Sequence, residues 1–329
     1  MSNPLVSIVT PCYNSERFLT RYLDSVLQQD YPAIEQIIVD DGSTDATNQI
    51  VKQYASKFSE RNYILCYKYQ ENKGIGGAIN SGLKLISGDL FTWCDSDNYY
   101  SPNYVSAKVK KFQESPQFSI IRCDGYIVNE NNPSTIIGRM ETGRIDRTEQ
   151  KLFYNAILEK HFHFGCAMLK TADFDRINPQ REIFESRAGQ NWQLLLPMFY
   201  HYRSGYVPKP MFYFVERAGS VSDCMRGEDQ TAKLLTLNAH EEILLETINS
   251  MKIPEEKDVK ELITKKYARK RISIFVSAGD MHKAKLESLK LYGSKKMRIL
   301  DVVLYYSMKY NVAPRLVVAS IRLWNKVFN

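Results

Sequence analysis

Four stretches of the chain place acidic, amide and glycine residues where an apolar run ends. Leu5–Thr10 runs into Pro11-Cys12-Tyr13-Asn14, and Gln36–Val39 into Asp40-Asp41-Gly42-Ser43-Thr44-Asp45. Tyr63–Gln70 is followed by Glu71-Asn72-Lys73-Gly74-Ile75-Gly76-Gly77-Ala78-Ile79-Asn80, and Leu90–Cys94 by Asp95-Ser96-Asp97-Asn98. Carboxylates spaced Asp-x-Asp at a strand end point to the same side of a sheet, because strand side chains alternate. Such a pair makes a site for a hard divalent cation, whose coordination a bound diphosphate would complete. One Asp at a strand end is as often a turn or helix cap. Four such motifs in chain order at one sheet edge argue for a site.

The motifs need a scaffold that gathers strand ends. Phe18–Gln28 has helical spacing in Phe18, Leu19, Tyr22, Leu23, Val26 and Leu27. Ser43 or Thr44 can cap a second helix running to about Phe58. Gly76–Ile86 reads as a third helix, and Pro102 suits the first position of a fourth that reaches about Glu114. Phe118–Val128 follows as a strand. Strand and helix alternate through short links, which predicts an α/β fold with a doubly wound, mostly parallel sheet. Ligands of such sheets bind at the carboxyl ends of the strands. Residues 129–160 are polar and turn-rich, so a loop over the site is expected there. Strand Phe162–Lys170, helix Gln190–Tyr200 and strand Tyr206–Val215 complete a domain of residues 1–227. From Glu228 the pattern is helical, giving an all-helical C-terminal region, 228–329. Within it Tyr267–Tyr292 is spaced like one degenerate helix–turn–helix repeat.

With 329 residues, 44% hydrophobic and 25% charged, the composition is that of a globular protein and excludes wholesale disorder. No run of about 18 apolar residues is present, so no spanning helix is expected. The first residues lack a basic segment before an apolar core, so export by a signal peptide is not expected. Six cysteines without a CxxC pair read as reduced, mostly buried thiols of a cytosolic protein. The net charge of +7 is unevenly placed. Residues 250–329 carry 18 Lys/Arg against 7 Asp/Glu, net +11, and residues 1–249 carry 26 against 30, net −4.

On Pro11-Cys12-Tyr13-Asn14, Asp40-Asp41-Gly42-Ser43-Thr44-Asp45, Asn72-Lys73-Gly74 with Ala78-Ile79-Asn80, and Asp95-Ser96-Asp97, the sequence resembles family 2 glycosyltransferases of the GT-A fold. The resemblance covers residues 5–100 closely and about 5–225 loosely. It implies a nucleotide-sugar donor, usually a UDP-sugar, a Mg²⁺ or Mn²⁺ ion, and inversion at the anomeric carbon. Residues 1–100 would form the nucleotide-sugar half and 101–227 the acceptor half. The resemblance also implies roles. Pro11 and Tyr13 line the base pocket, Tyr13 beneath the uracil ring, with Asn14 beside them. Asp41 bonds the base edge, and Asn72, Lys73 and Gly74 sit beside the nucleotide. Asp95 faces the ribose or sugar, and Asp97 holds the metal on the diphosphate. Departure of UDP puts charge on the β-phosphate oxygen, where a cation stabilises the transition state. Gly74-Ile75-Gly76-Gly77 has the wrong spacing for a dinucleotide fingerprint and follows the third strand.

The family's usual Glu-Asp pair, whose Asp takes the acceptor proton, corresponds here to Gln190-Asn191. Neither amide is a general base near neutral pH, although both can hydrogen-bond a sugar hydroxyl. Three readings stand. A nearby carboxylate takes the proton, Glu185 first and Asp124 second, with His161 and His163 behind them. Alternatively the correspondence slips, or the chain binds donor without efficient transfer. Arg217, before Ala218-Gly219-Ser220-Val221-Ser222, lies where family members often carry a loop over the diphosphate, and can pair with phosphate. Trp192, Tyr200, Tyr202 and Tyr206 are read as core more readily than as a sugar platform, and Trp93 as core.

In the segment from Pro314, Arg315, Arg322, Lys326 and Asn329 share one helical face, and Leu316, Val317, Ile321, Leu323, Trp324 and Phe328 populate much of the remainder. This suits an anionic membrane surface or packing on the chain's own domain. Nucleic acid is not an expected partner, since no base-reading motif accompanies the charge. The reading reached is a cytoplasmic transferase, peripheral on the inner membrane face, that extends a glycan or lipid-linked acceptor in surface polysaccharide synthesis. One rival is a non-catalytic nucleotide-sugar-binding protein. A nucleotidyltransferase is disfavoured, because Pro11–Thr20 offers only Arg17 where a basic, glycine-rich triphosphate loop is needed.

Overall fold

The computed structural model describes residues 3–140, 149–158, 166–217, 227, 229–292, 299–310, 312–314 and 316–318. The chain folds as two compact units, Met1–Ala156 with His161–Ala218, and Ile157–Lys160 with Gly219–Asn329.

In the first unit β1 (Val6–Cys12), β2 (Ile34–Asp41), β3 (Ile64–Gln70) and β4 (Leu90–Trp93) alternate with α1 (Glu16–Leu27), α2 (Thr47–Glu60) and α3 (Gly74–Leu83). β1 runs parallel to β2 and β4, and β2 parallel to β3. Every residue of β1 and β2 is buried, as central strands covered on both faces require. Ile8 and Ile38 join Leu19, Tyr22, Val51 and Tyr104 in one core. Val9 and Val39 point the other way and press on Gly82 of α3.

The chain continues through β5 (Tyr99–Tyr100), α4 (Tyr104–Glu114), β6 (Ile120–Asn129), β7 (Ile136–Arg139), α5 (Glu149–Leu158), β8 (Ala167–Lys170), α6 (Thr171–Ile177), α7 (Gln190–His201) and β9 (Ser204–Glu216). Among the described residues nine strands form one sheet of order β3-β2-β1-β4-β8-β6-β9-β5, with β7 on β6. Past β4 the sheet is mixed. β8 runs antiparallel to β4 and β6, β6 lies parallel to β9, and β5 is antiparallel to β9.

The excursion expected at 129–160 contains β7 and α5. Neither Ser43 nor Thr44 caps α2: Ala46 holds the N-cap position, and the Asp45 carboxylate before it accepts from Thr47 N at 3.0 Å. Strand β5 is two residues long and has no periodic signal to announce it.

The second unit holds α8 (Gln230–Met251), α9 (Glu256–Ala278), α10 (Met281–Ser288), a 3₁₀ turn (Leu289–Leu291) and α11 (Ile299–Tyr310). Gly279, at φ 80°, ends α9, and Asp280 accepts from Lys283 N to start α10. This is the helix–turn–helix that the spacing around residues 267–292 predicts. Its core joins Ala268, Ile272, Val276, Ala284, Leu291, Leu304 and Met308. Among the described residues no helix is long and apolar enough to cross a membrane.

Candidate functional site

The turns after β1, β2 and β4 are laced together by hydrogen bonds. Asn14, held at φ 47°, donates its N–H to Ser43 Oγ at 2.9 Å, and its Oδ1 accepts from Thr44 N at 2.9 Å. Glu16 N donates to Asp45 Oδ2 at 2.9 Å. Ser15 Oγ and Ser96 Oγ are 2.8 Å apart, which joins the first turn to the one after β4. Asn14 thus braces the rim. Asp40 is likewise structural, accepting from Ser43 N and from the Tyr67 hydroxyl.

Asp41 points to the other side of β2. Its Oδ1 accepts from Gln70 Nε2 at 2.7 Å and from Lys73 N at 2.9 Å. Oδ2 is left without a protein partner among the described residues. Asn72 Nδ2 donates to the Asp41 carbonyl at 2.9 Å. These bonds fix the carboxylate on the wall of a cavity of about 470 Å³, lined by Pro11, Cys12, Tyr13, Asp41, Asn72, Gly74, Ile75, Ala78 and Arg187. Tyr13 presents its ring to it and is 56% exposed. Five sequence-predicted donor residues, Pro11, Tyr13, Asp41, Asn72 and Gly74, therefore share one cavity. Lys73 contributes its backbone N–H to Asp41, and its side chain is not part of the lining.

Arg187 is the residue that sequence reasoning missed. The segment carrying it lies directly on the start of α3, where Gly76 N donates to Ser186 O at 2.9 Å. A Cβ on Gly76 would stand 2.6 Å from Ser186 N, closer than real atoms approach. The glycine run is the sequence signal for this close approach.

At the end of β4, Asp95 Oδ1 accepts from Gln190 Nε2 at 3.1 Å. Asn191 Oδ1 accepts from Trp93 Nε1 at 2.6 Å. The two amides at the start of α7 are thus spent on β4 and its turn. Desolvation, reinforced by the neighbouring Asp97 charge, pushes the Asp95 carboxyl up to about 7. Asp97 Oδ2 pairs with Arg217 Nε at 2.7 Å, while the Asp97 carbonyl accepts from Arg21 Nη2 at 2.7 Å. Arg217 also lies over the Phe18 ring, 5.5 Å from its centroid.

Among the described residues no group of three or more His, Cys, Asp or Glu stands ready to hold a metal ion alone. The Asp95–Asp97 pair nevertheless fits a cation. Burial, reinforced by the Asp97 charge, raises Asp95, and a guanidinium already sits on Asp97. A hard ion here would take Asp97 as its protein ligand and draw its remaining oxygens from a diphosphate.

The candidate bases differ. Glu185 is exposed on the segment that crosses α3. Asp124 is 4% exposed on β6, and its Oδ1 accepts from the Tyr206 hydroxyl. Its Oδ2 is buried without a hydrogen-bond partner among the described residues. His161, His163, the loop after Arg217 and Arg315 with residues 319–329 of the tail lie outside the described residues. Trp93 and Trp192 are core, the latter donating Nε1 to Ala156 O at 3.3 Å. Cys12, Cys94, Cys123 and Cys166 are free and buried, and Cys66 is half-buried. Cys224 lies outside the described residues.

Solved structures share this architecture. S. aureus TarS residues 1–349 in complex with UDP-GlcNAc align over 97% of this chain and 92% of that one, at TM-score 0.58 and 19% identity. Mannosyltransferase PcManGT from Pyrobaculum calidifontis, in complex with GDP-Man and Mn²⁺, aligns over 99% and 88%, at TM-score 0.54 and 17% identity. At such identities the likeness establishes the GT-A-like fold. By sequence, an uncharacterised glycosyltransferase of Rickettsia typhi is 31% identical over 167 residues, 51% of this chain and 50% of that protein. Streptococcus pneumoniae GlyA is 40% identical over 109 residues, 33% of this chain and 15% of that protein. The chain spans about half the length of the Rickettsia relative, and less of GlyA. The family model for glycosyl transferase family 2 matches residues 7–177, more than half of the chain, and on this match the chain belongs to glycosyl transferase family 2.

Proposed function

We propose that the chain transfers a sugar from a nucleotide-sugar, a UDP-sugar first, to a hydroxyl of a glycan or lipid-linked acceptor, with inversion at the anomeric carbon. The observation that carries this reading is the cavity in which Tyr13, Asp41, Asn72 and Arg187 converge at the ends of β1 and β2. Tyr13 offers a stacking face for a base. The free Asp41 Oδ2 accepts an imide N–H of uracil, a donor that cytosine lacks at that position. Arg187 supplies a cation for the phosphates. The complexes of TarS with UDP-GlcNAc and of PcManGT with GDP-Man support a nucleotide-sugar as the ligand class.

Asp97 would hold a Mg²⁺ or Mn²⁺ ion on the diphosphate, which when bound supplies charge stabilisation for the leaving group. Arg217, paired with Asp97 at 2.7 Å, is a guanidinium that could also serve the phosphate oxygens. Gln190 keeps Asp95 oriented towards the sugar. The acceptor hydroxyl attacks the anomeric carbon from the face opposite UDP, and Glu185 takes its proton. The C-terminal region, by its charge, suits a peripheral position on an anionic membrane surface, where lipid-linked acceptors reside.

A second reading, a protein that binds nucleotide-sugar without transferring it, is favoured by one observation. The amides that replace the usual carboxylate pair are engaged with Asp95 and Trp93. Release of UDP from a panel of nucleotide-sugars, with acceptor glycans present, separates the two. The transferase reading expects release from one donor, lowered at least about a hundredfold in Glu185→Gln with UDP affinity kept. Binding of UDP without release from any donor would install the second reading.

A further inference from the structure

We infer that the outward face of α11 docks on an anionic lipid surface. Helix α11 is apolar on two sides. Leu304, Tyr305 and Met308 are buried within the second unit. Ile299, Val303, Tyr306 and Tyr310 recur at i, i+4, i+7 and i+11, so they share the opposite side, and all four are exposed, Ile299 at 83%. The Tyr292 ring meets Tyr306 edge-on at 6.5 Å and extends the stripe. Contiguous apolar surface of this kind marks an interaction site.

The charge of this stretch of the sequence selects the partner. From Met281 onward the chain has ten Lys/Arg and two acids, Glu287 and Asp301. Both acids are buried and engaged, Glu287 by Arg271 and Asp301 by Arg269, each at 2.6 Å. Lys309 stands exposed on α11, and Arg298 directly precedes Ile299 in the chain. A second copy would bring the same positive charge against this face. An anionic lipid surface brings the opposite one. Tyrosines, with an apolar ring and a polar hydroxyl, suit the headgroup level. At 12 residues α11 is too short to span a bilayer and would lie in its plane. This face deepens the peripheral-membrane part of the proposed function. Lipid binding is read without any transfer assay, so its failure leaves the donor chemistry standing.

The test is co-sedimentation of the full chain with phosphatidylcholine vesicles and with phosphatidylcholine–phosphatidylglycerol vesicles. Wild type is expected to pellet with the second only. The double variant Ile299→Asp/Tyr306→Asp is expected to lose binding about tenfold or more, with an unchanged melting curve. Tyr310→Asp, at the helix end, is expected to weaken binding alone if the double variant misfolds. Absence of binding to anionic vesicles would overturn the inference, as would undiminished binding by the folded variants. So would light scattering that finds a dimer dissolved by the same substitutions, with no lipid binding.

Discussion

Arg187 rests its Cγ against the backbone of Gly74: a Cβ at position 74 would lie 3.2 Å from it. The segment that delivers the one cationic side chain in the cavity lining is therefore seated on glycines more than a hundred residues earlier. Gly76→Ala is expected to lift that segment, because its Cβ would collide with the Ser186 backbone. Arg187→Ala removes the cation itself. Both should weaken UDP binding about tenfold or more, the scale of a hydrogen bond to a charged group. Isothermal titration with UDP reads this, and wild-type affinity in Arg187→Ala would remove the residue from the donor site.

Restoring the family's carboxylate pair should have unequal effects at its two positions. Gln190→Glu sets a carboxylate against Asp95, where an amide N–H now donates, and is expected to destabilise the fold by about 1–3 kcal/mol. Asn191→Asp still accepts from Trp93 Nε1 and should stay within about 0.5 kcal/mol of wild type. Urea denaturation of the two variants makes the comparison. Equal stability would mean that the Gln190–Asp95 contact does not order the start of α7.

Thiol reactivity should follow burial. Burial pushes the Cys12 thiol up to about 12, and Cys94 well above the ordinary thiol value. At pH 8 roughly one Cys12 in ten thousand is a thiolate, and only the thiolate reacts. Among the five described cysteines, iodoacetamide at pH 8 should label Cys66 first, since it is only half-buried on the edge strand β3. Peptide mapping reads the order. Labelling of Cys12 as fast as Cys66, in folded protein, would contradict the packing of β1.

The cavity residues at and just after the ends of β1, β2 and β3 were legible because they are local. A strand end followed at once by Asp41, by Asn72 or by Asp95-Ser96-Asp97 is visible in a short window, and the alternating elements place those windows at one sheet edge. Arg187 was not legible. Nothing in Ser186-Arg187-Ala188 signals a ligand, and its position depends on close backbone approach to Gly74 and Gly76. The start of α2 lies later than expected, with Ala46 rather than Ser43 or Thr44 at the N-cap position, because Ser43, Thr44 and Asp45 are all capping types and only geometry chooses. Strand β5 needed Tyr213 of β9 opposite Tyr99, a pairing across more than a hundred residues. Burial of Asp124 followed from the lie of β6 against β9, which no local pattern conveys.

The most direct test of the central claim is UDP release from the preferred UDP-sugar, with acceptor and Mn²⁺, in wild type and in Asp97→Asn. The account predicts metal-dependent turnover in wild type and a loss of at least about a hundredfold in kcat for Asp97→Asn, with UDP itself still bound at the Tyr13–Asp41 cavity. Turnover in Asp97→Asn equal to wild type, or wild-type turnover indifferent to metal, would contradict it.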